Sequence, residues 1–537
     1  MNTSGWIKQR LLVPRWRSFV RTLGAGELGS PRPRTVGSEQ TGSRTDVRLA
    51  RWIDLPNLVT AAEVVESALG EAREAEAVEA ARQILRDHPT AMPMVRNQAA
   101  ALLRRAGLVE EVEELAGTIG PSDTKGWRAS LRLYPYDAIG WTELAFHQVV
   151  NGHSGAAARS MSIALALAPH NRHVLRSAAR FHLHRDEHER AHDLILRNPA
   201  SRTDPWLLAA EIALARAAGR SSRLVKVGEG VLSAGDFSPL DLSELAGAIG
   251  TEYLIDGRRG LRKLFLRSLE EPTANALAQG EWASREIGDD LVPDDRIERV
   301  PEAFEALAFH RYREFRFAEV PDICEEWAKI DGFSVRPFEF GSVAAAHALD
   351  FERAAAMARA GLKLRPAGAV LLNSLAFALA SQGDVEGAID ALHHLAPDKL
   401  DDRLRYIRSA NVGLCAFRLG RTEEGIAEYR KAIEGLTRIK AHVEAASARA
   451  YLAREAALVG LPDAPKFLHE AEESLRPFKA AEAQLIVRRL RGEDVDAQLA
   501  DARKAQEQAR KLARLRSITW TTPGLPGQEG VVHRLPF

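Results

Sequence analysis

The residues most suggestive of chemistry lie at 188–192, which read His-Glu-Arg-Ala-His. Two imidazoles one helical turn apart can bind zinc, while the glutamate between them polarises a water molecule. Such a site needs a third protein ligand, but Asp193, Leu194 and Ile195 follow, and Glu211 is the only acidic residue at a plausible downstream distance. Zinc-dependent hydrolysis is therefore one hypothesis for this stretch, and a solvated helix face is the other.

A second pattern is Gly-Ala-Gly-Glu-Leu-Gly at residues 24–29, which has the glycine spacing of a dinucleotide-binding loop. Such a loop works between a strand and the N-terminus of a helix, whereas here Ser-Pro-Arg-Pro follows at 30–33. We interpret the stretch as a linker. The sequence also has no Gly-Lys-Ser phosphate loop and no Gly-x-Ser-x-Gly nucleophile turn. It therefore predicts no catalytic residues, no cofactor and no metal site, and hence no enzyme.

The elements that must position these residues are best seen between Trp141 and Pro169. This stretch predicts two short amphipathic helices joined by a tight turn, with small residues where the helices must touch. Its markers are Trp141, Leu144, Ala145, Gly152, Ala157, Met161, Ala164 and Pro169. Together they predict one helical-hairpin repeat.

The hairpin recurs along the chain with a fixed register. Ala157 is followed thirty-four residues later by Ala191, and Ala354 is followed at the same interval by Ala388. From Ala388 to Gly425 the interval is thirty-seven residues, which indicates an insertion in a loop. Because Ala191 then lies at the start of a second helix, the register favours the solvated helix face over zinc binding at 188–192.

These repeats resemble tetratricopeptide repeats. The residues that carry the resemblance are Trp141, Leu144, Ala145, Ala157, Ala164, Pro169, Leu375, Ala376, Ala388, Gly413, Gly425, Tyr429 and Ala432. The resemblance covers 138–199 and 335–437 most fully, extends to 57–118, and is degenerate over 203–330. It implies an all-α fold, a right-handed α-solenoid superhelix of antiparallel helical hairpins. It further implies that the first helix of each hairpin lines a concave groove that binds extended peptides or partner helices.

Candidate partner-binding residues lie on the non-core faces of first helices. They are His173, Arg176, Arg180, Asn373, Phe377 and Asn411. Arg176 and Arg180 are one helical turn apart, so they are expected to hold an acidic segment. Paired asparagines can hydrogen-bond a peptide backbone, and ordinary solvation is the alternative for all five polar residues. The lysines that clamp a terminal carboxylate in chaperone-binding repeats are missing.

The composition argues against several classes of partner. Among 537 residues, Lys plus Arg equals Asp plus Glu at 73 each, so no overall charge recruits nucleic acid or a membrane. Cys324 and Cys415 are the two cysteines, which fits a reducing compartment. The basic start lacks the apolar core of a signal peptide, and the weakly polar run 369–380 is too short to span a bilayer. We expect a soluble cytoplasmic protein, and the abundance of Arg and Ala hints at a GC-rich bacterial genome.

The sequence predicts four parts along the chain. Residues 1–52 form a basic, disordered segment with ten Lys or Arg. Residues 53–479 form the repeat array, and 480–516 form capping helices with a basic end. Residues 517–537 form a tail that contains Pro and Gly but keeps apolar side chains. That tail either packs onto the last repeats or docks onto another protein.

The function that the sequence favours is a non-enzymatic interaction scaffold or adaptor, which binds a protein or peptide partner on its concave face. The alternative is a nucleic-acid-associated regulator or effector-system component that uses the basic termini. A zinc hydrolase is the third hypothesis. The oligomeric state stays open.

Overall fold

A computed structural model shows a chain built mainly of consecutive helices. The described residues are 10–16, 44–71, 73–88, 91, 93–108, 111–112, 123–133, 135–235, 237–287, 290–300, 302–396, 400–478, 481–493, 519–522 and 531–534.

The helices follow one another through short connections. The first group is α1 (Arg44–Asp54), α2 (Leu58–Glu71), α3 (Val78–Asp87), α4 (Pro93–Arg105), α5 (Thr124–Leu133), α6 (Ala138–Val150), α7 (Ser154–Leu167), α8 (Arg172–His184) and α9 (His188–Leu196). The second is α10 (Pro205–Ala217), α11 (Val225–Ala234), α12 (Pro239–Ile255), α13 (Leu261–Ser268), α14 (Ala274–Ile287), α15 (Asp294–Arg299), α16 (Phe304–Arg313), α17 (Val320–Ile330) and α18 (Arg336–His347). The third is α19 (Phe351–Leu364), α20 (Ala369–Gln382), α21 (Val385–His393), α22 (Asp402–Arg418), α23 (Thr422–Arg438), α24 (His442–Leu458), α25 (Ala464–Leu475) and α26 (Ala481–Leu490).

From α6 to α25, the even-numbered helix is the first of a hairpin and the next helix is its return, except that α14 packs on α16 and not on the short α15. Glycines end the first helices of several hairpins. Gly152, Gly383 and Gly420 have φ values of 75°, 92° and 75°, a left-handed conformation that costs glycine little. The tight turn predicted at Gly152 is confirmed.

Small residues occupy the positions where the two helices of a hairpin approach. Ala157, Ala191, Ala354 and Ala388 are all buried. At Gly425, a Cβ atom would lie 2.6 Å from the ring of Phe417, so even alanine would push the two helices apart. The register derived from the sequence is therefore the register of the fold.

The apolar core extends from hairpin to hairpin instead of surrounding one centre. The largest cluster of buried residues runs from Ala345 to Val487, and separate clusters cover the earlier hairpins. Residues 203–330 also form hairpins, α10 to α17, although their resemblance to the repeat is weak. The predicted array of antiparallel helical hairpins is confirmed.

The array curves until distant hairpins meet. The rings of Phe146 on α6 and Phe333 in the α17–α18 loop lie 5.6 Å apart. Farther along the same seam, Arg365 Nη2 lies 3.3 Å from Asp186 Oδ1. One coil of the array therefore contacts the next, and hairpins separated by more than a hundred residues share a surface.

The ends of the chain differ from the expectation in three places. Disorder over 1–52 is wrong for residues 10–16, which are extended and mostly buried, and for 44–52, which lie in α1. Residues 1–9 and 17–43 lie outside the described residues. In the C-terminal tail, β1 (Thr519–Thr522) pairs antiparallel with β2 (Val531–Arg534).

The predicted cap begins as α26, which packs on α24 and α25, while the basic end at 503–516 lies outside the described residues. Whether the tail packs on the array or docks elsewhere stays a prediction. Within the part of the chain that the structure describes, no helix combines the length and apolar character needed to cross a bilayer.

Candidate functional site

The first helices of successive hairpins share a surface that holds another part of the same chain. We call this surface the inner groove and residues Arg10–Trp16 the N-terminal segment. The groove residues that touch the segment or its partners are Phe146 (α6), Phe181 (α8), Gly247 (α12), Asn275 and Gln279 (α14), Glu305 (α16), Phe333 (α17–α18 loop) and Arg336 (α18). The groove thus lies on the helices that the tetratricopeptide resemblance assigns to partner binding.

The N-terminal segment reads Arg-Leu-Leu-Val-Pro-Arg-Trp, and its burial pattern indicates an extended chain. Alternate side chains are buried: Arg10, Leu12, Pro14 and Trp16 are buried, while the three between them are half-buried. This two-residue period is that of a strand, whose side chains point alternately to opposite sides. Pro14 favours the same geometry, because the residue before a proline avoids the helical region.

Arg10 anchors one end of the segment. Its Nε and Nη2 atoms donate to the two oxygens of Glu305, each at 3.0 Å. Nη1 donates to Gln279 Oε1 at 2.6 Å, and Nη2 also donates to Asn275 Oδ1 at 2.7 Å. A planar fork of donors thus meets three acceptor groups, a geometry that a lysine ammonium cannot reproduce.

The same two amides also bind the segment's main chain. Gln279 Nε2 donates to the carbonyl oxygen of Arg10 at 2.9 Å, and Asn275 Nδ2 donates to that of Val13 at 3.1 Å. Both amides lie on α14, about one helical turn apart. They hold the backbone of an extended peptide whatever its side chains are.

Glu305 is the charged centre of this end. Besides Arg10 it accepts hydrogen bonds from Arg15 and, at 2.6 Å, from Arg336 Nη2. Burial alone would raise the pKa of the Glu305 carboxyl, but the neighbouring arginines hold that pKa well below its usual range. Burial lowers the pKa of Arg10 to about 10, and the positive charges of Arg336 and Arg15 add to this effect. Arg10 remains charged at neutral pH.

Aromatic rings hold the other end. The indole of Trp16 meets Phe146, Phe181 and Phe333 edge-on, with ring centroids 5.5, 6.1 and 5.5 Å away. Its Nε1 atom is buried with no hydrogen-bond partner among the described residues. Between the two ends, Leu12 lies over Gly247, where a Cβ atom would come within 2.7 Å of the leucine Cδ1.

Arg176, a predicted groove residue, does not face the groove. Its side chain is 1% exposed, and Nη2 donates to Glu244 Oε2 on α12 at 2.8 Å. Nη1 donates to the carbonyl oxygen of Trp206 on α10 at 3.1 Å. The expectation that Arg176 holds an acidic segment of a partner is wrong. The guanidinium of Arg176 already forms an ion pair with Glu244, which belongs to the array itself.

The two asparagines are also internal. Asn411 Nδ2 on α22 donates to Asn373 Oδ1 on α20 at 2.8 Å and to the Asn373 carbonyl oxygen at 3.1 Å. Both side chains are buried. They link neighbouring first helices to each other, so their predicted bonds to a partner's backbone are replaced by bonds within the array.

His173, Arg180 and Phe377 are half-buried. Arg180 lies beside the aromatic end of the groove, with its guanidinium 4.9 Å from the Phe333 ring and Nη2 3.7 Å from Asp331 Oδ2. Phe377 lies farther along the array, between the rings of Phe351 and Tyr451. Their role in partner binding stays a prediction.

The zinc-like pattern forms an internal contact. His192 Nε2 lies 2.9 Å from Glu211 Oε1 on α10, the acidic residue that the sequence offered as a third ligand. Since His192 is buried, its interpretation as part of a solvated face is wrong. Across the described residues, no group of three His, Cys, Asp or Glu side chains is arranged to hold a metal ion.

A second charged cluster joins the helices that carry the Arg10 pocket. His310 on α16 lies 3.4 Å from both Glu281 on α14 and Glu314 just after α16. Burial opposes the charged imidazole, but the two neighbouring glutamates outweigh it and raise the pKa of His310 to about 9. The imidazolium is therefore the form present at neutral pH.

Comparison with known proteins adds little. No family model and no curated protein matches the chain. The solved structures that it resembles include the APC/C hetero-tetramer Cut9-Hcn1, at TM-score 0.38 and 15% identity over 83% of this chain and 92% of that one. Yeast Tom70 is another, at TM-score 0.31 and 12% identity over 86% and 97%. At these scores neither match says anything about function, and the fold assignment rests on the chain's own hairpins.

The sequence did contain a signal for the N-terminal segment. Four apolar residues in a row, Leu-Leu-Val-Pro, lie between two arginines, and a tryptophan follows; a short apolar run of this kind is consistent with a buried extended stretch. The surrounding Gly, Ser and Pro residues favoured disorder and hid it. Asn275, Gln279 and Glu305 lie in the degenerate repeats, where no register pointed to the groove.

Proposed function

We propose that this protein is a non-enzymatic scaffold whose inner groove binds an extended segment of another protein. The observation that carries this proposal is the pair of α14 amides, Asn275 and Gln279, bonded to main-chain oxygens of an extended peptide. Bonds of this kind recognise a polypeptide backbone, and flanking pockets for alternate side chains supply selectivity. The groove has both.

The chemistry of the cysteines supports a non-enzymatic role. Cys324 and Cys415 are both buried. Burial raises the pKa of the Cys324 thiol far above its usual range and that of Cys415 to about 11. Because the thiolate is the reactive form, neither residue is suited to act as a nucleophile.

The charge of the groove favours a protein partner over nucleic acid. The alternative hypothesis depends in part on arginines near the N-terminus of the chain. Two of these arginines, Arg10 and Arg15, are bonded to Glu305. A buried carboxylate would repel a phosphate. The nucleic-acid hypothesis then depends on the basic residues within 1–9, 17–43 and 503–516, which lie outside the described residues.

Selection from a displayed peptide library tests the proposal on the full chain. We expect selected peptides to lose binding when Asn275 and Gln279 are both replaced by alanine. The matched control replaces two exposed amides, Asn151 and Gln382, by alanine and should bind the same peptides as the native protein. Peptides that bind the groove variant and the control equally would contradict the assignment.

Salt dependence separates the two functions. Binding of a nucleic acid should weaken by orders of magnitude between about 50 and 200 mM salt, since bound counterions are released. Binding of a peptide through main-chain bonds and apolar pockets should change little. Steep salt dependence of the physiological partner would favour the nucleic-acid hypothesis.

A further inference from the structure

We propose that the N-terminal segment is a built-in competitor for the inner groove, and that the partner is an extended protein segment carrying its pattern. That pattern is an arginine, an aliphatic residue two positions later, and an aromatic residue six positions after the arginine. The inference rests on the proposed function and adds to it the chemistry of the partner and a means of regulation.

The pattern follows from three pockets. The first combines a carboxylate with two amide oxygens and holds the guanidinium of Arg10. The second lies over Gly247, where the missing side chain leaves room for the end of Leu12. The third is the ring of phenylalanines around Trp16. Since the segment is extended, the pockets fix the spacing of the side chains that fill them.

The groove is built so that its occupant can leave. If the N-terminal segment withdraws, Glu305 keeps its bond to Arg336 at 2.6 Å, and Arg180 keeps Asp331 at 3.7 Å. These two arginines and two carboxylates balance each other. Withdrawal therefore leaves no uncompensated charge in the groove. In most buried ion pairs, by contrast, removal of one partner strongly destabilises the protein, because the other charge stays buried alone.

The segment also fits less well than a partner can. At its aromatic end, the buried Trp16 Nε1 lacks an acceptor among the described residues. A partner with phenylalanine in place of Trp16 avoids this penalty.

Covalent attachment makes even an imperfect segment an effective competitor. A tethered ligand acts at an effective concentration that reaches the millimolar range for short linkers. The groove is then open to an outside peptide only for the fraction of time that the segment is undocked, and the apparent affinity falls by that fraction. A change that undocks the segment should strengthen partner binding.

Fluorescence anisotropy with a labelled peptide of residues 8–18 tests this on the full chain. In the undocked variant, Leu12→Asp with Trp16→Ala, we expect affinity for the probe about tenfold or more above that of the native protein. Leu133→Asp is the matched control, since Leu133 is 77% exposed, and should behave as native. A second probe, with glutamate in place of its arginine corresponding to Arg10, should not bind. Equal affinity in all three proteins, or no binding, overturns the proposal.

A second experiment leaves the groove and the segment unaltered. A specific protease site is introduced within residues 17–43 and cut after folding, so that the segment is held by its contacts alone. We expect the cut fragment to exchange with the labelled 8–18 peptide while the circular dichroism of the array is unchanged. Unfolding on release, or no exchange over prolonged incubation with excess probe, would show a permanent structural element and overturn the proposal.

The two proposals fail differently. If library peptides need Asn275 and Gln279 yet bind the native and undocked proteins equally, peptide binding in the groove is supported and competition by the N-terminal segment is overturned. If no peptide needs these amides, both proposals are overturned. If the segment docks in a second copy of the chain, native mass measurement shows a dimer that the undocked variant lacks, and that result overturns an intramolecular competitor.

Discussion

Two buried arginines serve different purposes in this molecule. Arg176 and Glu244 belong to helices of the same array, on α8 and α12, and neither side chain is more than 1% exposed. Arg10 and Glu305 are almost as buried, at 2% each, but one belongs to the N-terminal segment and the other to α16. The first pair joins two hairpins of the array across the hairpin between them, and the second joins the array to an occupant of its groove.

The surroundings of the two carboxylates express this difference. Glu305 has a resident arginine, Arg336, besides those of the segment. Within the described residues, Glu244 forms a salt bridge with Arg176 alone. A groove that exchanges occupants needs a second cation, and a fixed contact between helices does not.

The largest expected effect concerns the fixed pair. Arg176→Ala leaves Glu244 buried without its cation, and we expect a loss of about 3–5 kcal/mol in the free energy of unfolding, measured in urea. Arg10→Ala should cost much less, because Arg336 still compensates Glu305. Equal losses in the two variants would end the distinction between the pairs.

The pH dependence of stability sharpens the comparison, because His310 also joins first helices of the array. Its folded pKa of about 9 exceeds the unfolded value of about 6.5. Its contribution is thus complete below about pH 6.5 and is lost as the pH rises through about 9.

We expect stability to fall by on the order of 2–3 kcal/mol over this window, measured as urea unfolding at each pH. His310→Gln should flatten the profile between these limits. If the stability of His310→Gln changes with pH in parallel with that of the native protein, His310 does not cause this pH dependence.

Trp16→Ala tests the exchangeable side of the comparison. In a fixed core, loss of a tryptophan costs about 3–5 kcal/mol, but a segment that docks reversibly cannot cost more than its docking free energy. We expect about 1–2 kcal/mol, with hydrogen exchange accelerated at residues 10–16 and on α14 but unchanged on α22. A loss of about 3–5 kcal/mol in the free energy of unfolding would instead show that the segment is a fixed part of the core.

The smallest effect is expected at the seam between coils. Arg365 and Asp186 are 51% and 74% exposed, so Arg365→Ala should cost no more than about 0.5 kcal/mol, and less at high salt. Thermal unfolding at two salt concentrations measures this. A loss comparable to that of Arg176→Ala would show that the coils are joined by charge and not by the aromatic contacts.

The sequence predicted the fold through residues whose role is local. Ala157, Ala191 and Gly152 act within a single hairpin, so their spacing alone reveals the unit. The direction of a polar side chain such as Arg176 depends instead on how each hairpin is rotated against the next. One sequence does not encode that rotation in any short pattern, which is why Arg176 and Asn373 were assigned to a partner.

The N-terminal segment was missed for a related reason. Seven residues are too few to stand out against a Gly- and Ser-rich background, and their burial depends on helices α6 to α16, which begin more than a hundred residues later in the chain. A short stretch that docks on distant helices leaves only a weak pattern in the sequence around it. Its docking becomes visible in the structure, through contacts such as that of Arg10 with Glu305.

The position of Trp16 has a consequence for the two coils. Its indole contacts Phe146, on one coil, and Phe333, on the next, and these two rings also contact each other. One side chain of the segment therefore packs on two parts of the chain that lie more than a hundred residues apart. An occupant with a smaller side chain at this point loses contacts with both coils at once.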